Sequence, residues 1–472
     1  MGLIENIKAG SYKIALIGGI VLLVIIIIRI IFKDKFSSFK KEDKINKGIK
    51  GSNLSKDKDP NGFIFGKENR DYVYLKNDQE GHITIFGGSG KGKTSALLIP
   101  SLRAWNGPFF AIDISGDISK NVKGEKNKRV ILSPDEPDES SLYNVFYLID
   151  KINDGEEKRE KLEQLVNLIV DIPANTNDTQ FYFLNTARKI FLSSIIAFYN
   201  IGMDFTDICK TVFFNDIKEL ANLILKTENK LAKGYIMPLA RENEKNIAGA
   251  KSTLNDKVKL FADNKKMEQI LRRPLTDFDG NIEPCFNPKD LEEKQVFLKV
   301  PDKMQEFFAP FMHIVVGQIL EYISARVYNN KTDKRILISI DEFASIGHFE
   351  ILGPFRKFRK NGANLCILTQ SLADIDLVYS DKERQVILDN SQYVVVLSAN
   401  DNNTREYFSN LVGKEDKIST STSKGRGGSS VSTSIQKDYV IAPEKWKTYD
   451  KELIVIHPSG VIKLKKNFYF EN

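Results

Sequence analysis

The feature that most constrains this chain is Gly87-Gly88-Ser89-Gly90-Lys91-Gly92-Lys93-Thr94, which fits the pattern G-x-x-x-x-G-K-[ST]. It follows the short β-rich run His82–Phe86 and precedes a helical stretch, Thr94–Leu102, the context in which that pattern cradles phosphate. Glycines let successive backbone N–H groups turn inward onto phosphate oxygens. Lys93 is placed to reach the β- and γ-phosphates, the Thr94 hydroxyl to bind Mg²⁺, and Ser95 to extend the cradle along the helix N-terminus, whose dipole favours anions. The bland alternative, a glycine-rich turn that matches by chance, does not account for the strand before it and the helix after it.

A second strand supplies the other half of such a site. Ile336–Ile340 is almost entirely apolar and ends in Asp341-Glu342. A buried strand of this kind delivers Asp341 to hold Mg²⁺ and Glu342 to act as general base on a water. Leu365–Thr369 repeats the pattern and ends at Gln370, either a γ-phosphate sensor that orients water or a plain surface glutamine. Arg356, Arg359 and Lys360 are read on a helix closed by Asn361-Gly362. They form either a solvated basic face or the source of an arginine finger for a neighbouring subunit.

The rest of the chain organises around these segments. Ile14–Phe32 is apolar except for Arg29, giving 19 residues, close to the ~20 that span a bilayer. Seven lysines between Lys33 and Lys50 follow it, against Lys8 and Lys13 before it, so residues 33–472 are expected in the cytoplasm. Residues 1–58 carry an excess of seven positive charges, and the remaining 414 residues are neutral. A polyanionic partner of the main body would therefore meet a local patch. Three separated cysteines (Cys209, Cys285, Cys366) and four scattered histidines argue against a disulfide scaffold or a zinc site.

Phe63–Phe65 and Tyr72–Leu75 predict a hairpin, and Phe109–Ile112 and Val130–Leu132 predict buried strands. From about Leu142 to Asp290 helical periodicity dominates. Strand signals return at Gln295–Val300, Ile336–Ile340, Asn364–Leu368 and Tyr393–Leu397, alternating with helices, as in a parallel sheet. Ser419–Ser434, rich in Ser, Thr and Gly, reads as a mobile loop, and Glu452–Phe470 as two strands around Pro458–Gly460. The expected organisation is an N-terminal stub and transmembrane helix (1–32), a basic linker (33–60), a nucleotide-binding domain in two parts (61–141 and 291–472) and an all-α domain inserted between them (142–290).

Together these segments resemble the type IV secretion coupling proteins, the TraG/TraD-type ATPases of conjugative DNA transfer. Asp113-Ile-Ser-Gly-Asp117 resembles the family's D-x-K-G-E segment, with Ser115 and Asp117 as departures. Asp341-Glu-Phe-Ala344, Thr369-Gln-Ser371 and the block Asn400-Asp401, Thr404, Ser409, Leu411-Val-Gly413 are similar to family segments in the same order. The resemblance implies a RecA-like P-loop motor that binds ATP and Mg²⁺. It also implies a hexamer in the bacterial cytoplasmic membrane, here single-pass, with a helical domain that receives substrates. The implied partners are single-stranded DNA with its relaxase and the components of a type IV secretion channel. It singles out Arg359 as the arginine acting in trans and Lys382 as a lesser phosphate contact. Lys424 and Arg426 are candidate DNA contacts in the Ser/Gly segment, against the plainer reading of that segment as a loop. Two other readings stand beside the DNA motor: an ATPase for secreted protein, and a recruitment platform in which nucleotide sets the oligomeric state.

Overall fold

The structure, a computed structural model, describes residue 49 and residues 52–173, 176–425 and 428–471. The expected membrane helix at 14–32, most of the basic linker and Arg426 lie outside the described residues, as does the side chain of Lys424.

Short apolar runs bounded by turns make the strands. Leu54–Asp57 (β1), Gly62–Glu68 (β2) and Asp71–Lys76 (β3) pair antiparallel, β3 in the middle. Ile83–Phe86 (β4) is buried throughout and runs into the glycine loop. The helix beyond, α1 (Ile99–Ala104), is entered through a wide turn over Lys93–Leu98, in which the Ile99 N–H reaches back to Thr94 O. Phe109–Asp113 (β5) and Arg129–Leu132 (β6) follow. Leu142–Tyr143 (β7) then pairs in parallel with the distant Cys285–Phe286 (β8).

Between β7 and β8 the described chain is largely helical: α2 (Gly155–Ile169), α3 (Asp178–Tyr199), α4 (Phe205–Phe214), α5 (Ile217–Lys226), α6 (Lys230–Ala240), α7 (Glu244–Asp263) and α8 (Lys265–Leu271). Local chemistry sets their starts. Asp154 accepts from the Glu156 and Glu157 N–H groups, and Asp216 closes a reciprocal capping box with Glu219, each pairing donors a helix start leaves open.

The second run of strands is Gln295–Lys299 (β9), Ile336–Ile340 (β10), Ala363–Thr369 (β11) and Tyr393–Val396 (β12). Helices α9 (Gln305–Ala325), α10 (Leu352–Lys357) and α11 (Asn402–Val412) lie among and after them. Asp302–Ala325 is apolar and long enough to cross a membrane, yet 56% of its most apolar stretch is buried inside the protein. Its Gly317 sits against Leu168 of α2, so it reads as a core helix.

The sheet has twelve strands in the order β1-β3-β2-β16-β15-β12-β4-β11-β10-β5-β9-β6, where Glu452–His457 is β15 and Gly460–Lys465 is β16. The seven strands from β12 to β6 are parallel, as the alternation of strands and helices predicts. The remaining five join antiparallel through β12–β15 and β16–β2, a half-sheet that the parallel expectation omits. One core runs under both halves and includes Phe63, Ile85, Leu97, Phe109, Leu337, Leu368, Val395, Val455 and Ile462. Each such fully buried side chain contributes about 1.5–3 kcal/mol.

Two further expectations are corrected. Ser419–Ser434 is no loop: Lys414–Gly425 (β13) and Gly428–Tyr439 (β14) form a long antiparallel ribbon. Thr and Val suit strands. The helix expected to carry Arg356, Arg359 and Lys360 is also shorter. It ends at Lys357, and the chain turns through Gly362, whose φ of 70° favours glycine.

Candidate nucleotide site

Strands β4, β11 and β10 are neighbours, and their C-terminal ends release Gly87, Gln370 and Asp341 side by side. Ligands of parallel α/β sheets bind beyond these ends. A cleft of about 580 Å³ opens there. Its walls include Gly88–Ser95, Asp341, Glu342 and Gln370, which the sequence placed together, and Ile114, Ser115, Asp117, Asp302 and Ser345. Asp302 and Ser345 carry no sequence signal of their own. They arrive because β9 and β10 end next to β5 and β11.

The glycine loop is wound by left-handed residues, Gly90 at φ 70° and Gly92 at φ 95°. Lys93 is 5% exposed. Its Nζ donates to Gly87 O at 2.8 Å and stands 3.8 Å from Glu342 Oε1. Thr94 Oγ1 donates to Asp341 Oδ2 at 2.9 Å, joining residues 247 positions apart. Asp341 is 3% exposed, and burial pushes its carboxyl up to about 6, against the lowering effect of the Thr94 hydrogen bond. Glu342 has a left-handed backbone (φ 48°, ψ 52°), which turns its side chain back over the cleft. Gln370 Nε2 approaches Glu342 Oε2 at 3.5 Å.

Arg359 is not brought to this cleft. It pairs with Glu80, and both lie at the N-terminal ends of β11 and β4. The seven residues of β11, about 23 Å at a strand's rise per residue, separate it from Gln370. Lys382 is exposed on a helix over Asp381–Asn390. Four other family-like residues make structural hydrogen bonds. Asp113 caps a short helix through the N–H groups of Ile118 and Ser119. Asp401 caps α11 through the Thr404 N–H, Thr404 Oγ1 accepts from the Leu372 N–H, and Ser409 Oγ accepts from Trp446 Nε1.

The donor set suits a magnesium nucleotide. Thr94 and Asp341 offer two hard oxygens. Among the described residues no cluster of three or more His, Cys, Asp or Glu could hold a metal alone. The ion's remaining ligands would have to be phosphate oxygens and water.

A large α/β sheet with a glycine loop between a buried strand and a helix defines a phosphate-loop protein. The particular family follows from comparison. The sequence profile of the family described as type IV secretory system conjugative DNA transfer matches residues 33–472, and the chain belongs to that family of type IV coupling proteins. Among its relatives, Protein VirD4 of Agrobacterium fabrum is 22% identical over 416 residues, covering 84% of this chain and 60% of the relative. Conjugal transfer protein TraG of the same organism is 24% identical over 369 residues, 75% of this chain and 54% of the relative. The chain thus spans about 60% or less of the length of these two relatives. Similar solved structures include the unbound conjugative coupling protein TrwBdeltaN70, with a TM-score of 0.64 at 19% identity, covering 82% of this chain and 85% of that one. TrwB in complex with ADP and Mg²⁺ gives a TM-score of 0.63 at 19% identity, over 84% and 87%. These likenesses show the fold.

Proposed function

We propose that the chain is a membrane-anchored, hexameric ATPase that couples a DNA–relaxase substrate to a type IV secretion channel and drives DNA transfer. The observation that carries this reading is the Thr94–Asp341 hydrogen bond, which closes the glycine loop against the second acidic strand. TrwB, solved with non-hydrolysable ATP and GTP analogues and with ADP and Mg²⁺, supports a magnesium nucleotide as the ligand, which we assign as ATP. Residues 61–141 and 291–472 form the nucleotide-binding domain, 142–290 an inserted helical domain for cargo, and 14–32 the anchor.

Gly87–Ser95 cradle the phosphates. Thr94 and Asp341 would hold Mg²⁺, which would supply positive charge against the phosphates. Lys93 leaves the Gly87 carbonyl for the β- and γ-phosphates. Glu342 takes a proton from the attacking water, with Gln370 orienting that water. Arg359 serves the next subunit's site. An arginine one strand-length from its own cleft has no use there, and a ring brings a neighbour's cleft to it.

The test is ATP hydrolysis by the full chain in detergent, with no DNA, single-stranded DNA and duplex DNA. Stimulation that fades as salt rises is the expected result, because phosphate contacts release counterions. A flat response from an active oligomer would transfer the cargo assignment to protein.

A further inference from the structure

Beyond β16 the chain returns to the glycine loop. Lys466 is 6% exposed and donates Nζ to Lys91 O at 2.9 Å. The Tyr469 N–H donates to Ser95 O at 3.0 Å, and the Tyr469 ring lies under the Arg103 guanidinium. Between these two tethers the Phe468 ring presses on Gly92. A Cβ at Gly92 would stand 2.9 Å from the ring's Cε1, and the φ of 95° there favours glycine. Phe468 is half-buried and stacks on Phe470, with ring centroids 5.3 Å apart and planes 28° from parallel. Phe470 is 64% exposed.

A single exposed phenylalanine signifies little. Here two rings are stacked, fixed by backbone and ammonium hydrogen bonds, and set against the loop that holds phosphate. A ligand that fits both features has a polyphosphate at one end and a flat π-surface at the other. We propose that Phe468 and Phe470 form the platform on which the base of a bound nucleoside polyphosphate stacks. The inference rests on the nucleotide-binding reading above. Stacking uses the π-face that every base has, so the platform accepts adenine and guanine alike. It contributes affinity without choosing the base, and Gly92 and Ser95 couple it to the phosphate cradle.

The experiment is calorimetric titration of the full chain with ADP, GDP and inorganic tripolyphosphate. The variants are Phe468→Leu, which keeps an apolar contact on Gly92, and Phe470→Ala, which alters an exposed ring. Each should weaken ADP and GDP to a similar extent, by roughly 5- to 100-fold, and leave tripolyphosphate unchanged. Phe470→Trp should bind at least as tightly as the parent, and its fluorescence should change when ADP is added. Unchanged ADP affinity in both weakening variants overturns the platform while nucleotide binding stands. Equal losses for ADP and tripolyphosphate also overturn it, since the segment would then only brace the loop. No ADP binding by the parent chain, or equal binding by Lys93→Ala, would defeat the nucleotide reading itself and the platform with it.

Discussion

Asp341 is a carboxylate kept in a place that disfavours its charge. Burial lifts it from its ordinary 3.8 to about 6, a shift of about two units, or about 3 kcal/mol at 1.36 kcal/mol per unit. The folded chain therefore holds this proton more tightly than the unfolded chain. The stability it confers is complete below about pH 3.8 and is lost as pH rises through about 6. At neutral pH the charged carboxylate carries that loss as strain against folding. Asp341→Asn imitates the protonated form at every pH and still accepts from Thr94. The nucleotide-free, chelator-treated variant should be more stable than the parent by up to about 3 kcal/mol at pH 7.5. The gap should fall to about half by pH 5. In thermal unfolding followed by circular dichroism this is a shift on the order of 5 °C. Adding ADP and Mg²⁺ should stabilise the parent more than the variant, which keeps the phosphate cradle and loses a charged Mg²⁺ ligand. A variant no more stable than the parent at pH 7.5, or a gap that ignores pH, would refute the argument from burial.

Glu342→Gln should bind ATP as the parent does and hydrolyse it roughly 10²–10⁴-fold more slowly, read by pairing a binding titration with a phosphate-release assay. Arg359→Ala and Glu342→Gln subunits, each inactive alone, should regain hydrolysis when mixed, because some interfaces then pair an intact Glu342 with an intact Arg359; silence at every ratio would end the trans assignment. Trp446→Phe removes a buried 2.9 Å hydrogen bond to Ser409 and should cost about 1–3 kcal/mol in urea unfolding with no change in ADP affinity.

Both acidic and glycine halves of the candidate site were legible because each is local. A run of apolar residues buries a strand, and the polar residues after it must emerge at its end. Gly87–Thr94 and Ile336–Glu342 need no knowledge of the rest of the chain. What escaped detection is long-range. Nothing in Gly460–Lys465 announces that it pairs with Gly62–Glu68, and nothing in Lys466 announces a bond to Lys91, 375 residues away. The ribbon at Lys414–Tyr439 was hidden by composition, since Ser, Thr and Gly serve loops as readily as polar strands. The block around Asp401 and Thr404 was visible as a pattern, yet its work in holding α11 required coordinates.

Among the described residues, the non-glycine positions with positive φ are Asn53, Asn69 and Glu342. Asparagine tolerates that region; glutamate pays about 1–2 kcal/mol for its Cβ there. A library of variants sorted only for heat resistance should therefore drift to glycine or asparagine at 342. Survivors of such a screen would be sturdier proteins that had lost the carboxylate facing Lys93. The discomfort of one backbone angle thus separates what selection for folding alone would write at this position from what the chain carries.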